Sequence, residues 1–88
     1  MRTAAETLEL ITRNGRLRYQ LAGRVVTGSD LIDLCFSGGW VTGRYEWRGD
    51  LGERPRFHYS IEMMAEGRVT EGTIEIPEGA VLRWPPSR

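Results

Sequence analysis

The sequence predicts an all-β fold wrapped around a single core, and three observations carry that prediction. Apolar and polar residues alternate with a period of two along most of the chain. Gly-containing turns interrupt the alternation at short intervals, and no strand–helix–strand spacing occurs. At 88 residues the chain is too short to divide its apolar side chains between two cores. One domain over residues 1–88 is therefore expected, with 1–6 as a flexible lead-in and 85–88 as a C-terminal tail.

The first element is a hairpin over residues 7–21. Asn14-Gly15 suits a two-residue type I′ loop, because both central positions of that turn need positive φ. Pairing across it sets Leu8 against Leu21, Leu10 against Tyr19 and Thr12 against Leu17 on one face, with Glu9, Arg18 and Gln20 on the other. A helix over residues 3–13 competes, since Thr3-x-x-Glu6 has the form of a capping box and Asn14-Gly15 could end a helix. The hairpin accounts for more residues than so short a helix.

A second hairpin is centred on Ser37-Gly38-Gly39-Trp40, with Gly-Gly in the turn, and joins residues 31–36 to 41–48. Its register sets Phe36 against Val41, Leu34 against Gly43 and Ile32 against Tyr45 on the core side, with Trp47 farther along. The reverse face pairs Ser37 with Trp40, Cys35 with Thr42 and Asp33 with Arg44. A slip of one residue would bury Asp33 and Arg44, so burial is expected to specify this pairing strongly.

After a polar loop at 49–55, residues 57–63 alternate strictly, directing Phe57, Tyr59, Ile61 and Met63 inward. A turn at 65–68 leads into a strand through Ile76, with Gly72, Ile74 and Ile76 on one face and Glu71, Thr73 and Glu75 outside. A two-residue turn would set His58 against Glu75 but Glu62 against Glu71, and a shift of two residues relieves that repulsion. Pro77-Glu78-Gly79 turns into a short last strand over 80–84, where Trp84 is expected to close the barrel before Pro85-Pro86 ends it. Five or six short strands in so small a chain fit a small SH3-like barrel better than a sandwich, which usually needs about 100 residues. Closure would also remove unpaired strand edges.

The succession Asn14-Gly15-Arg16, then Thr27-Gly28-Ser29-Asp30-Leu31-Ile32-Asp33-Leu34, then Gly39-Trp40-Val41-Thr42-Gly43-Arg44-Tyr45-Glu46 resembles a family of short bacterial proteins known as domain of unknown function 5348. The resemblance covers roughly residues 10–48 and implies a small SH3-like bacterial domain. It brings no catalytic residue or cofactor with it.

Composition narrows the function. Twelve basic residues balance twelve acidic ones, so no net charge draws the chain toward nucleic acid or anionic lipid. All twelve are Arg, which reads as a GC-rich coding sequence. One cysteine excludes an internal disulfide, and one histidine leaves no zinc-finger spacing. No apolar run has signal-peptide or membrane-span length, so a cytoplasmic chain without membrane contact, cofactor or metal is expected. Charge is nevertheless uneven: residues 13–24 hold four Arg and no acid, whereas 59–79 hold five Glu and one Arg. Mutual neutralisation of the two segments is the expected outcome.

His58 shares its outward face with Ser60 and Glu62, which stand in line and do not converge on a substrate; cross-strand pairing is expected and catalysis is not. Cys35 reads as inert packing, with Arg44 as the only nearby cation. The glycines have no following helix that would make a phosphate loop. Trp40 stands out, because parity places it on the polar side just after a turn. Outward Trp and Arg are typical of interface hot spots. The leading expectation is a non-enzymatic protein–protein interaction module using Trp40, Arg44 and Arg48, a surface that would also serve self-association into a homodimer. The alternative is a nucleic-acid-binding face of Arg16, Arg18, Arg44 and Arg48 beside Trp40, where guanidinium groups meet phosphates and the indole stacks on a base.

Overall fold

The computed structural model describes residues 5–63 and 68–86. Eight strands follow in chain order: β1 (Glu9–Arg13), β2 (Arg16–Leu21), β3 (Arg24–Val25), β4 (Leu31–Phe36), β5 (Gly39–Glu46), β6 (Arg56–Met63), β7 (Arg68–Glu75) and β8 (Leu82–Arg83). They form two antiparallel sheets, β1-β2-β3 and β7-β6-β5-β4-β8. The all-β expectation holds. Among the described residues the ladders do not close into a barrel; the sheets are joined by one bridge, in which Glu6 and Leu82 exchange both backbone hydrogen bonds at 2.9 and 2.8 Å.

The first hairpin has the expected register, with Leu10 opposite Tyr19 and Thr12 opposite Leu17. Asn14 and Gly15 lie at φ 52° and 73°, the geometry that selects these residues for a type I′ turn. The competing helix does not form over the described part of its range. A further two-residue turn at Ala22-Gly23 folds β3 back on β2 and was not expected, because alanine rarely accepts the left-handed φ of 51° seen there.

The central hairpin differs from expectation by two residues. Its turn is Ser37-Gly38, both at positive φ, and Phe36 pairs with Gly39, Cys35 with Trp40 and Asp33 with Thr42. A shift of two preserves every face, so the core list is almost unchanged while each named cross-strand pair is corrected. Asp33 therefore does not meet Arg44, whose opposite residue is Leu31. Phe36, expected inside, is 51% exposed beside the turn.

In the β6–β7 hairpin the shifted register is the one present: His58 faces Thr73 and Ser60 faces Glu71. The side chains of Ile61 and Met63 and residues 65–67 of the expected turn lie outside the described residues, while Arg68, expected in the turn, opens β7 opposite Met63. Phe57 and Tyr59 explain two glycines. A Cβ on Gly43 would sit 2.5 Å from the Phe57 ring and 2.6 Å from the His58 carbonyl oxygen, and one on Gly72 would sit 2.5 Å from the Tyr59 ring. Each ring thus covers a glycine on a neighbouring strand.

The core comprises Leu21, Val26, Ile32, Leu34, Tyr45, Phe57, Ile76 and Leu82. Each such side chain contributes roughly 1.5–3 kcal/mol when fully removed from water. Two polar links fasten the three-stranded sheet to the rest. Trp84 donates its indole N–H to the Leu21 carbonyl at 2.8 Å, with Arg24 stacked 4.1 Å from its ring centroid, so it ties the C-terminal segment to β2 without closing a barrel among the described residues. Arg54 donates to the Tyr19 hydroxyl at 2.8 Å and to the Ile76 carbonyl at 2.9 Å.

Candidate interaction surface

Strand alternation places Trp40, Thr42, Arg44 and Glu46 in one row on the outer side of β5. Trp40 begins the row. Its ring is backed by Arg83 of β8, whose guanidinium carbon lies 4.3 Å from the ring centroid. Arg83 in turn donates through Nε to Asp33 Oδ2 at 2.9 Å, and Thr42 donates its hydroxyl to Asp33 Oδ1 at 2.5 Å. Asp33 is 2% exposed, a correction to its expected place on an open polar face. The cause is β8, which docks beside β4 and carries Arg83 over the carboxylate. A buried charge is tolerated only when it is paired and hydrogen-bonded, and both conditions are met here.

The three tryptophans differ in one respect. The indole N–H of Trp47 donates to the Asp50 and Glu53 carbonyls at 3.2 and 2.9 Å, and that of Trp84 to Leu21. Among the described residues Trp40 Nε1 has no partner within the chain. Trp40 is 37% exposed, so the ring is backed by Arg83 on one side and reached by solvent on another.

Arg44 stands at the centre of the row, exposed, opposite Leu31 on one side and His58 on the other. It borders a shallow polar cleft of about 420 Å3 with Thr42, His58, Ser60, Glu71 and Thr73. Arg48 lies past the end of β5, where it borders a separate small cleft with Trp47, Glu53 and Arg54. Trp40 and Arg44 thus share one strand face, and Arg48 extends beyond it.

Arg16 and Arg18 belong to β2, in the other sheet, so the four arginines do not occupy one sheet face. Arg18 is half-buried and close enough to Tyr45 to act on its phenol. Among the described residues no ion pair joins residues 13–24 to 59–79. The ion pairs there are Arg83–Asp33 and His58–Glu46.

His58 makes the cross-strand contacts expected of it, with partners that sequence did not name. Its Nδ1 lies 2.9 Å from Thr73 Oγ1 and its Nε2 2.7 Å from Glu46 Oε1. The His58 hydrogen bond holds the Glu46 carboxyl below its ordinary pKa, with Arg56 and Arg44 adding to the effect. Hydroxyl, imidazole and carboxylate run in a line across β7, β6 and β5, each engaged by the next. Cys35, expected to be packed, is exposed near the Ser37-Gly38 turn.

On the inner side of β5, Tyr45 is 2% exposed and its hydroxyl has no hydrogen-bond partner among the described residues. Burial pushes its phenol far above the ordinary range, and Tyr19 adds to the shift. No group of three or more His, Cys, Asp or Glu among the described residues is placed to hold a metal ion. No helix among them is long and apolar enough to cross a membrane.

Arg83 and Asp33 are the site residues that sequence reasoning missed. Their signal was weak: a two-residue strand has no periodicity from which to read a neighbour. Comparison with protein-family models, with curated proteins and with solved structures gave no match.

Proposed function

We propose that this chain is a non-enzymatic protein-interaction module that grips its partner through the outer row of β5, with Trp40 as anchor and Arg44 as its polar neighbour. The observation that carries this reading is the contrast among the indoles: Trp47 and Trp84 spend their N–H groups inside the fold, whereas the Trp40 indole, 37% exposed and clamped by Arg83, has no partner for its N–H among the described residues. A ring fixed in advance loses little conformational entropy on binding, which is the property of a hot spot. Arg48 lies two residues past the end of β5 and would meet the partner at the rim.

The finer build belongs to the same proposal. The SH3-like reading is supported by the resemblance of residues 10–48 and by eight short antiparallel strands around one core, with the Glu6–Leu82 bridge as the seam between sheets. A bacterial, cytoplasmic setting agrees with that resemblance and with a single free cysteine.

The test is affinity capture from native extract with the intact chain, Trp40→Ala, Arg44→Ala and Arg16→Ala. A partner retained by the intact chain and by Arg16→Ala but lost by the other two supports the proposal. Identical retention by Trp40→Ala contradicts it. Nuclease treatment before capture distinguishes a protein from a nucleic acid held by the same arginine.

A further inference from the structure

β7 is the end strand of the five-stranded sheet, and among the described residues it pairs only with β6. The side of β7 that faces outward follows from the hydrogen bonds. Ile76 N–H donates to the Pro55 carbonyl at 2.8 Å, extending the β6–β7 register by one pair, so the even-numbered residues of this segment bond toward β6. The N–H and C=O groups of Val69, Glu71, Thr73 and Glu75 therefore point away from the sheet. Such an edge pairs readily with another strand unless it is blocked, and β7 contains no proline or bulge.

Charge then selects the partner and the register. In an antiparallel pair of two β7 strands related by a two-fold axis, the odd residues must bond one another. A pair centred on Glu71 sets that carboxylate against its own copy. One centred on Thr73 sets Glu71 against Glu75 twice. Centring on Gly72 sets Glu71 against Thr73 and Val69 against Glu75, with no carboxylates opposed and residues 69–75 all paired. Gly72 adds an independent observation: the Tyr59 ring lies over it, with Oη 2.5 Å from the position of a Cβ, so the phenol is carried to this edge. At a two-fold on Gly72 the two hydroxyls would face each other about one strand spacing, ~4.8 Å, apart.

We propose that the chain forms a homodimer by antiparallel addition of β7 to β7 of a second copy, centred on Gly72, joining the two five-stranded sheets into one. This edge lies two strands from β5, adjoins its outer row only through the cleft that Glu71 and Thr73 share with Arg44, and does not depend on the role of Trp40.

Sedimentation velocity of the full chain tests the proposal. The mass should rise with concentration from 10.0 kDa toward twice that value. Thr73→Glu opposes two pairs of carboxylates and should raise the dissociation constant about tenfold or more. Val69→Glu, at a side chain 64% exposed, should do the same by opposing Glu75. Glu71→Arg combined with Thr73→Glu should restore the dimer, because each Arg then meets a Glu of the other copy. Trp40→Ala should leave the mass unchanged. A chain that stays at 10.0 kDa at every concentration overturns the proposal. So does a Val69→Glu variant that dimerises as well as the parent, or a double variant no tighter than Thr73→Glu.

Discussion

Arg83 donates to Asp33 at 2.9 Å across fifty positions of sequence, and the same guanidinium backs the Trp40 ring. One contact thus settles a buried carboxylate on β4 and fixes an aromatic side chain on β5. Arg83→Ala would leave Asp33 charged, buried and served only by the Thr42 hydroxyl. The expected loss of stability is about 3 kcal/mol, the low end for removing one partner of a buried pair, because the Arg83 side chain is 24% exposed. Urea unfolding measures it, and a loss below about 1 kcal/mol would place the control of Asp33 elsewhere.

Gly43→Ala should cost about 2 kcal/mol or more, since the new methyl group meets both the Phe57 ring and the His58 backbone oxygen. The backbone contact is the decisive one, because it cannot rotate away. Gly28→Ala, with nothing within 4 Å of the added atom, is the matched control and should change stability little. Equal thermal midpoints for the two variants would contradict the close approach of β6 to β5.

Tyr45→Phe should stabilise the protein by about 1 kcal/mol, because it keeps the buried ring and removes a hydroxyl with no partner among the described residues. Equilibrium unfolding in urea provides the comparison. A clear loss on removing the oxygen would reveal a bond that this hydroxyl makes.

The Glu46 carboxyl titrates below its ordinary value of 4.5 because it accepts from His58. A carboxylate with a depressed folded pKa contributes stability that is present above its unfolded pKa and is lost as pH falls through the folded value. The advantage of the parent chain over Glu46→Gln should therefore be small, present above the carboxylate range, and should vanish on acidification through it. Thermal midpoints over a pH series test this. An advantage that persists unchanged in strong acid contradicts the Glu46–His58 contact.

The sequence was legible where local chemistry decides. Asn14-Gly15 fixed both the turn and the register of the first hairpin, and alternation identified Tyr45 and Phe57 as core. In the second hairpin Ser37, Gly38 and Gly39 offer two acceptable loops one position apart, whose registers differ by two residues. Faces do not distinguish them, so the Asp33–Arg44 pair was assigned in error. Trp40 was legible as outward, but its clamp was not, because Arg83 reaches it through a strand of two residues. Closure was equally hidden: alternation tells which side of a strand is buried and says nothing of whether the first and last strands meet.

The central claim is that Trp40 offers the binding face, and the three indole N–H signals in a proton–nitrogen correlation spectrum test it directly. On titration with the captured partner, the Trp40 signal should shift or broaden while those of Trp47 and Trp84, already bonded within the fold, stay in place. A Trp40 signal unmoved at saturation, with changes confined to the other two, would contradict the account.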